Sequence, residues 1–155
     1  PLLRLDHFET VLTPVGEEAM AWNIGDHGFE MVLGTYVPHI IDEHITGALE
    51  PLLAHEPELA QHPRRDIEHW AIHPGGRSIL DKVESKLDLT EAQLVPARET
   101  LRDFGNMSSA TVMFVLQHIL RAATPGREER VCAMAFGPGL TVETALLTTI
   151  GAPAP

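Results

Sequence analysis

From Ser108 to Ala123 the chain runs through Val112, Met113, Phe114, Val115, Leu116, Ile119 and Leu120, apolar nearly all the way round a helix. Such a helix would leave carbon in water on any surface, so the segment predicts a central buried helix in the middle layer of a domain. A layer of that kind needs a sheet to lie against. With 155 residues, 44% of them hydrophobic, the chain is long enough for one domain (1–155) with a real core.

The flanking patterns supply the sheet. Leu3, Leu5 and Val11 share one parity while Arg4, Asp6 and Thr10 share the other, which predicts a half-buried strand ended by Thr13-Pro14-Val15-Gly16. The chain enters that strand without an initiator methionine, which reads as a fragment or a processed piece. Ala19 to Ile24 and Phe29 to Leu33 flank Gly25-Asp26-His27-Gly28, and that turn chemistry predicts a hairpin. From Pro38, the spacing of Ile40, Ile41, His44, Ile45, Ala48, Leu49, Leu52 and Leu53 marks one face of a helix that Pro51 either kinks or ends. Glu56 to Arg65 is polar and proline-bearing and reads as a surface loop.

Ile67 to Ile72 is a short apolar run that stops at His73-Pro74-Gly75-Gly76, the pattern of a buried strand. Ile79, Leu80, Val83 and Leu87 make an amphipathic helix. Thr90 with Gln93 is a capping-box signature, Pro96 can start the helix that bears Ala97, Leu101 and Phe104, and Gly105 stops it. Val131 to Phe136 and Thr141 to Thr149 predict two strands about a tight Gly137-Pro138-Gly139 turn. The class is therefore α/β, a mixed sheet covered by helices.

Charge narrows the function. Eleven basic residues against 22 acidic ones give −11, and no Lys/Arg cluster appears, which argues against nucleic acid and against an anionic membrane surface. No stretch approaches the ~18 consecutive apolar residues of a membrane span. The N-terminus carries no signal pattern. The lone Cys132 allows no internal disulfide and suits a reducing, cytoplasmic setting.

Two polar residues stand out against this background. His73 is displayed at the carboxyl end of a strand, where α/β sheets place their sites, and an imidazole there can serve as base, acid or oxyanion donor. Its plainer role is a histidine that only hydrogen-bonds at a strand end. Asn106, 33 positions on, precedes the apolar helix; its plainer role is an N-cap, but a carboxamide can also hold a carbonyl oxygen without changing charge. A His and an Asn at one point could stabilise an enolate. The remaining histidines lack metal-ligand spacing, so no metal is expected. Cys132, inside an apolar strand, reads as a small buried hydrophobe.

Taken together, Ile72-His73-Pro74-Gly75-Gly76, Gly105-Asn106-Met107-Ser108-Ser109-Ala110 and Phe136-Gly137-Pro138-Gly139-Leu140-Thr141-Val142-Glu143-Thr144 resemble the chalcone synthase-like type III polyketide synthases. The resemblance runs from about Thr10 to Ile150 and corresponds to the C-terminal half of such an enzyme. Ketoacyl synthase III enzymes also pair His with Asn, but usually follow the histidine with Gln-Ala-Asn. The family implies a thiolase-like half-domain and a homodimer whose substrates are acyl-CoA and malonyl-CoA, with no further cofactor. It implies a cysteine nucleophile in the N-terminal half, upstream of Pro1, with His73 and Asn106 completing a Cys-His-Asn site for decarboxylative condensation. It also places Ser78 where the backbone meets coenzyme A, and Met31, Ser108 and Gly137-Pro138-Gly139 along the cavity. Met31 stands where phenylalanine is usual and Ala135 replaces a glycine, so the resemblance does not extend to a flavonoid-type product. A catalytically silent, thiolase-like binding subunit is the rival reading.

Overall fold

The arrangement of strands follows from where turns are short and where they are not. In the computed structural model, which describes residues 2–151, Arg130–Gly137 (β5) and Thr141–Ile150 (β6) form an antiparallel hairpin across the Gly-Pro-Gly turn. The opening strand Leu2–Leu12 (β1) pairs antiparallel with the far side of β6, and His69–Ile72 (β4) pairs parallel with β5. The sheet order is β1-β6-β5-β4, mixed as the patterning implies. Met20–Gly25 (β2) and Gly28–Leu33 (β3) make a separate two-stranded ribbon turned at Asp26-His27, with Gly28 at φ +129°.

A parallel pair cannot be closed by a tight turn, so the chain between β4 and β5 carries Arg77–Lys86 (α4), Glu91–Phe104 (α5), a 3₁₀ turn at Ser108–Ala110 and Thr111–Ala122 (α6). Before β4, Val37–Leu53 (α1) buries Ile41, Ile45, Ala48 and Leu52 against α4 and the β1–β6 side of the sheet. Trp70 and Ile72 of β4 are fully buried, as are Leu80 and Leu94 from α4 and α5. Each such side chain contributes about 1.5–3 kcal/mol by leaving water.

Several expectations are corrected. The apolar helix is not enclosed: α6 buries only Thr111, Val115 and Ile119, one stripe against α5 and β4, and leaves Met113 62% exposed. Among the described residues its buried positions lie on one side only. The segment from Glu56 is not a loop but two short helices, Pro57–Gln61 (α2) and Pro63–Asp66 (α3), each with its proline in the first turn, where the missing N–H is harmless. Pro96 does not begin a helix. The Thr90 capping box begins α5, and Pro96 lies inside it. Pro51 is likewise carried within α1.

The simple parity of β1 also fails. Its register slips between Leu5 and His7, leaving Asp6 as an extra residue, so Leu5 is 64% exposed while Asp6 turns inward. There Asp6 accepts from Thr148 Oγ1 at 2.6 Å and Arg130 at 3.0 Å, and Arg130 reaches on to Glu56.

A second polar knot closes the amino ends of β4 and β5. Glu129, 5% exposed, accepts from His69 Nε2 at 2.8 Å and Thr124 Oγ1 at 2.6 Å. Burial alone would raise its carboxyl pKa; the bonds from His69 and Thr124 outweigh burial and hold it below the usual carboxylate value. A folded-state pKa below the unfolded one adds stability above the unfolded value, and that stability is lost as pH falls through the folded one. Asp6, lowered by Thr148, Arg4 and Arg130 against its own burial, works in the same direction. Denaturant unfolding at stepped pH should show stability falling as the medium is taken from 7 to below ~4. Glu129→Ala should cost about 2 kcal/mol at pH 7 and make that fall shallower.

Candidate functional site

β4 and β5 lie side by side with Ile72 level with Met134, so the turns that follow them emerge at the same end of the sheet. The His73 N–H donates to Met134 O at 2.7 Å, one bond beyond the end of β4, and the Gly75 N–H donates back to His73 O at 3.0 Å. Both backbone groups of His73 are therefore fixed. Its side chain is half-buried, and that burial lowers the imidazole pKa below its ordinary value. The ring is neutral near pH 7, one nitrogen a donor and the other an acceptor.

Asn106 follows Gly105, which closes α5 at φ +70°. Its Nδ2 donates to Gly75 O at 3.1 Å, and its Oδ1 accepts from the Ser108 N–H at 2.9 Å. The carboxamide thus does two things at once. Its oxygen closes a local turn onto the Ser108 N–H, and its nitrogen ties that segment to the turn after His73. No side-chain bond joins His73 to Asn106 among the described residues; the link runs through the turn. The second N–H of Asn106 is left to point elsewhere. Ser108 holds φ +60°, a conformation that costs a residue with a Cβ roughly 1–2 kcal/mol. Thr111 Oγ1 offsets it by accepting from the Met107 N–H and donating to Ser108 O, both at 2.8 Å.

The third motif is stitched in from the other side. Gly139 adopts φ +121°, a conformation that favours glycine. Its N–H donates to Met20 O at 3.0 Å, and the Thr13 N–H donates to Leu140 O at 3.0 Å. These bonds anchor the β2–β3 ribbon and the end of β1 to the Gly137-Pro138-Gly139 turn. His73, Asn106, Ser108 and that turn therefore gather at one end of the sheet. Ser78, exposed on the first turn of α4, and Met31, exposed on β3, are connected to this group only through the chain and the ribbon, with no side-chain hydrogen bond to it among the described residues.

Cross-strand register puts Met20 opposite Leu33, Trp22 opposite Met31 and Ile24 opposite Phe29. All six side chains share one ribbon face, mostly exposed, with Trp22 edge-on to Phe29 at 6.5 Å. Reading Ala19 to Ile24 and Phe29 to Leu33 only as the apolar arms of a hairpin misses this face, although the strict period of two was the available signal. Cys132 is fully buried, and burial pushes its thiol up to about 12, which removes it as a nucleophile. No three His, Cys, Asp or Glu side chains gather to hold a metal ion among the described residues.

With this geometry in hand, comparison with known proteins is specific. Residues 5–151 match the family model described as chalcone and stilbene synthases, C-terminal domain. Type III polyketide synthase 10 of Oryza sativa subsp. japonica is 32% identical over 160 residues, covering 98% of this chain and 40% of the relative. The crystal structure of PKS-I from the brown alga Ectocarpus siliculosus superposes with a TM-score of 0.80 at 27% identity, over 96% of this chain and 40% of that one. The mixed sheet with its helices is thus that of the C-terminal half of such a synthase, a thiolase-like fold. The chain spans about two fifths of the length of the relatives it matches.

An NMR titration of His73 should give a midpoint below the ~6.5 of a free imidazole. Asn106→Ala should lose about 1 kcal/mol of stability and speed amide exchange at Ser108 and in the Pro74–Gly76 turn; unchanged exchange there would mean the carboxamide does not hold the turn.

Proposed function

Since the chain belongs to the chalcone and stilbene synthase family through that C-terminal domain, we propose that it supplies two of the three reacting groups of a type III polyketide synthase, an acyltransferase acting on coenzyme A thioesters. The observation that carries this reading is the bond from Asn106 to the turn after His73, at the common end of the parallel strands. In the proposed step, malonyl-CoA loses carbon dioxide, and the electron pair of the broken bond becomes an enolate whose oxygen carries the growing charge. A neutral imidazole N–H from His73 and the second N–H of Asn106 suit that oxygen, since neither must give up a charge of its own. The enolate carbon then attacks the carbonyl carbon of an acyl thioester held on a cysteine, and the C–S bond breaks to release the cysteine as its thiolate. Cys132 cannot be that cysteine, so the nucleophile comes from the upstream half.

The exposed carbon supports the same reading. Met113 and Phe114 on α6 and the ribbon face of Trp22 and Met31 are apolar surfaces that a further layer would bury. In the proposed enzyme the whole of 1–155 is the C-terminal domain, the upstream half covers α6, and the ribbon face together with Ser108 and the Gly137-Pro138-Gly139 turn walls the cavity where the chain grows. Ser78 lies along the coenzyme A arm. The working unit is a homodimer in the cytoplasm. No helix of the described residues is long and apolar enough to cross a membrane.

One observation favours a silent binding subunit instead: the Asn106 carboxamide is already engaged by Gly75 and Ser108. Product formation from an acyl-CoA and malonyl-CoA separates the two readings. With the upstream half present, turnover is expected, and His73→Gln or Asn106→Ala should each lower decarboxylation by ~10²–10³. This chain alone should make no product. A complete protein with no condensing activity, or variants with undiminished rates, would overturn the assignment.

A further inference from the structure

Of the 11 Lys and Arg residues, all but Arg77, Lys86 and Arg121 have a carboxylate oxygen within 4.0 Å among the described residues. Lys86 and Arg121 lie in the last turns of α4 and α6, where a cation meets the carbonyl end of its own helix favourably. Arg77 has no such compensation. It is exposed on the first turn of α4, where a positive side chain is opposed by the helix, and no acid answers it. A local rule broken without internal gain points to a role outside the chain.

Its neighbourhood says which role. The segments that meet at this end of the sheet are 19–34, 73–78, 105–111 and 137–141, and Arg77 is the one Lys or Arg in all four. The same segments hold Asp26 and Glu30, on a chain of net charge −11. A phosphorylated ligand approaching here is repelled by the molecule as a whole and meets a single fixed cation. That cation is four residues from His73, on the turn whose Gly75 carbonyl Asn106 holds. Its guanidinium can take a phosphate through two parallel N–H donors.

We propose that Arg77 is this chain's phosphate-binding cation, holding a phosphate of the coenzyme A arm while the thioester lies at His73. The assignment rests on the reading given under Proposed function. Steady-state kinetics of the protein with its upstream half, using coenzyme A thioesters and the matching N-acetylcysteamine thioesters that lack phosphate, tests it. Arg77→Ala should raise KM for both acyl-CoA and malonyl-CoA roughly tenfold, leave kcat within about twofold, and leave the N-acetylcysteamine substrates unchanged. Arg77→Lys should recover part of the loss. An equal rise for the phosphate-free substrates, an effect confined to malonyl-CoA, or no change in KM would each overturn it. Calorimetry of coenzyme A and pantetheine binding reads Arg77 even if the protein makes no product. Weaker coenzyme A binding by Arg77→Ala, with pantetheine unaffected, then supports the assignment, and equal coenzyme A binding by both proteins ends it.

Discussion

The parallel ladder between β4 and β5 is the interaction on which the rest depends. Because strands that run the same way need a long crossover, the chain must leave β4, travel through three helices and come back. Both carboxyl ends then face the same side, and the crossover passes that side at Asn106. Had the two strands been antiparallel, the turn after His73 and the Gly137-Pro138-Gly139 turn would lie at opposite ends of the sheet. The meeting of polar groups is thus a product of strand direction as much as of residue type.

The two ends of the sheet are built differently. At the amino end, carboxylates are hydrogen-bonded and buried or half-buried, as Glu129 is by His69 and Thr124. Nearby, Asp6 of the outer strand β1 is paired with Arg130 at the start of β5. Those knots consume charge and fix geometry. At the carboxyl end the half-buried and hydrogen-bonded groups about His73 and Asn106 are neutral, an imidazole whose pKa burial lowers, a carboxamide and backbone amides, while Arg77, Asp26 and Glu30 stand exposed around them. Neutral groups do not demand a counter-ion inside the protein.

What was legible in the sequence was mainly local chemistry. The Thr90 capping box, the Gly25-to-Gly28 turn, the glycine stop at 105 and the buried strand before Pro74 are settled within a few residues, and the structure has each of them. The errors arose where distant partners decide. Asp6 breaks the parity of β1 because Thr148 and Arg130 draw it inward, and neither is near it in sequence. Pro96 looks like a helix start until the cap six residues earlier takes precedence. For α6, composition describes what the surface is made of but not how many neighbours arrive, and here they arrive on one side. The histidine and asparagine were visible as residues at turns, whereas the bond from Asn106 to Gly75 joins positions 31 apart and only folding reveals it.

The bulge at Asp6 has a consequence beyond the packing it explains. Among the described residues β1 is an outer strand, 11 residues long, with Leu5, Phe8 and Leu12 turned to solvent. A straight edge of that length and character is a template for unwanted strand addition between molecules. The extra residue divides it into two shorter stretches, Leu2 to Leu5 and His7 to Leu12, whose hydrogen-bonding phases do not run on from one to the other. A strand that adds along the whole edge has to carry a matching irregularity, so this small defect acts as a key that selects its complement and turns away flat, regular strands.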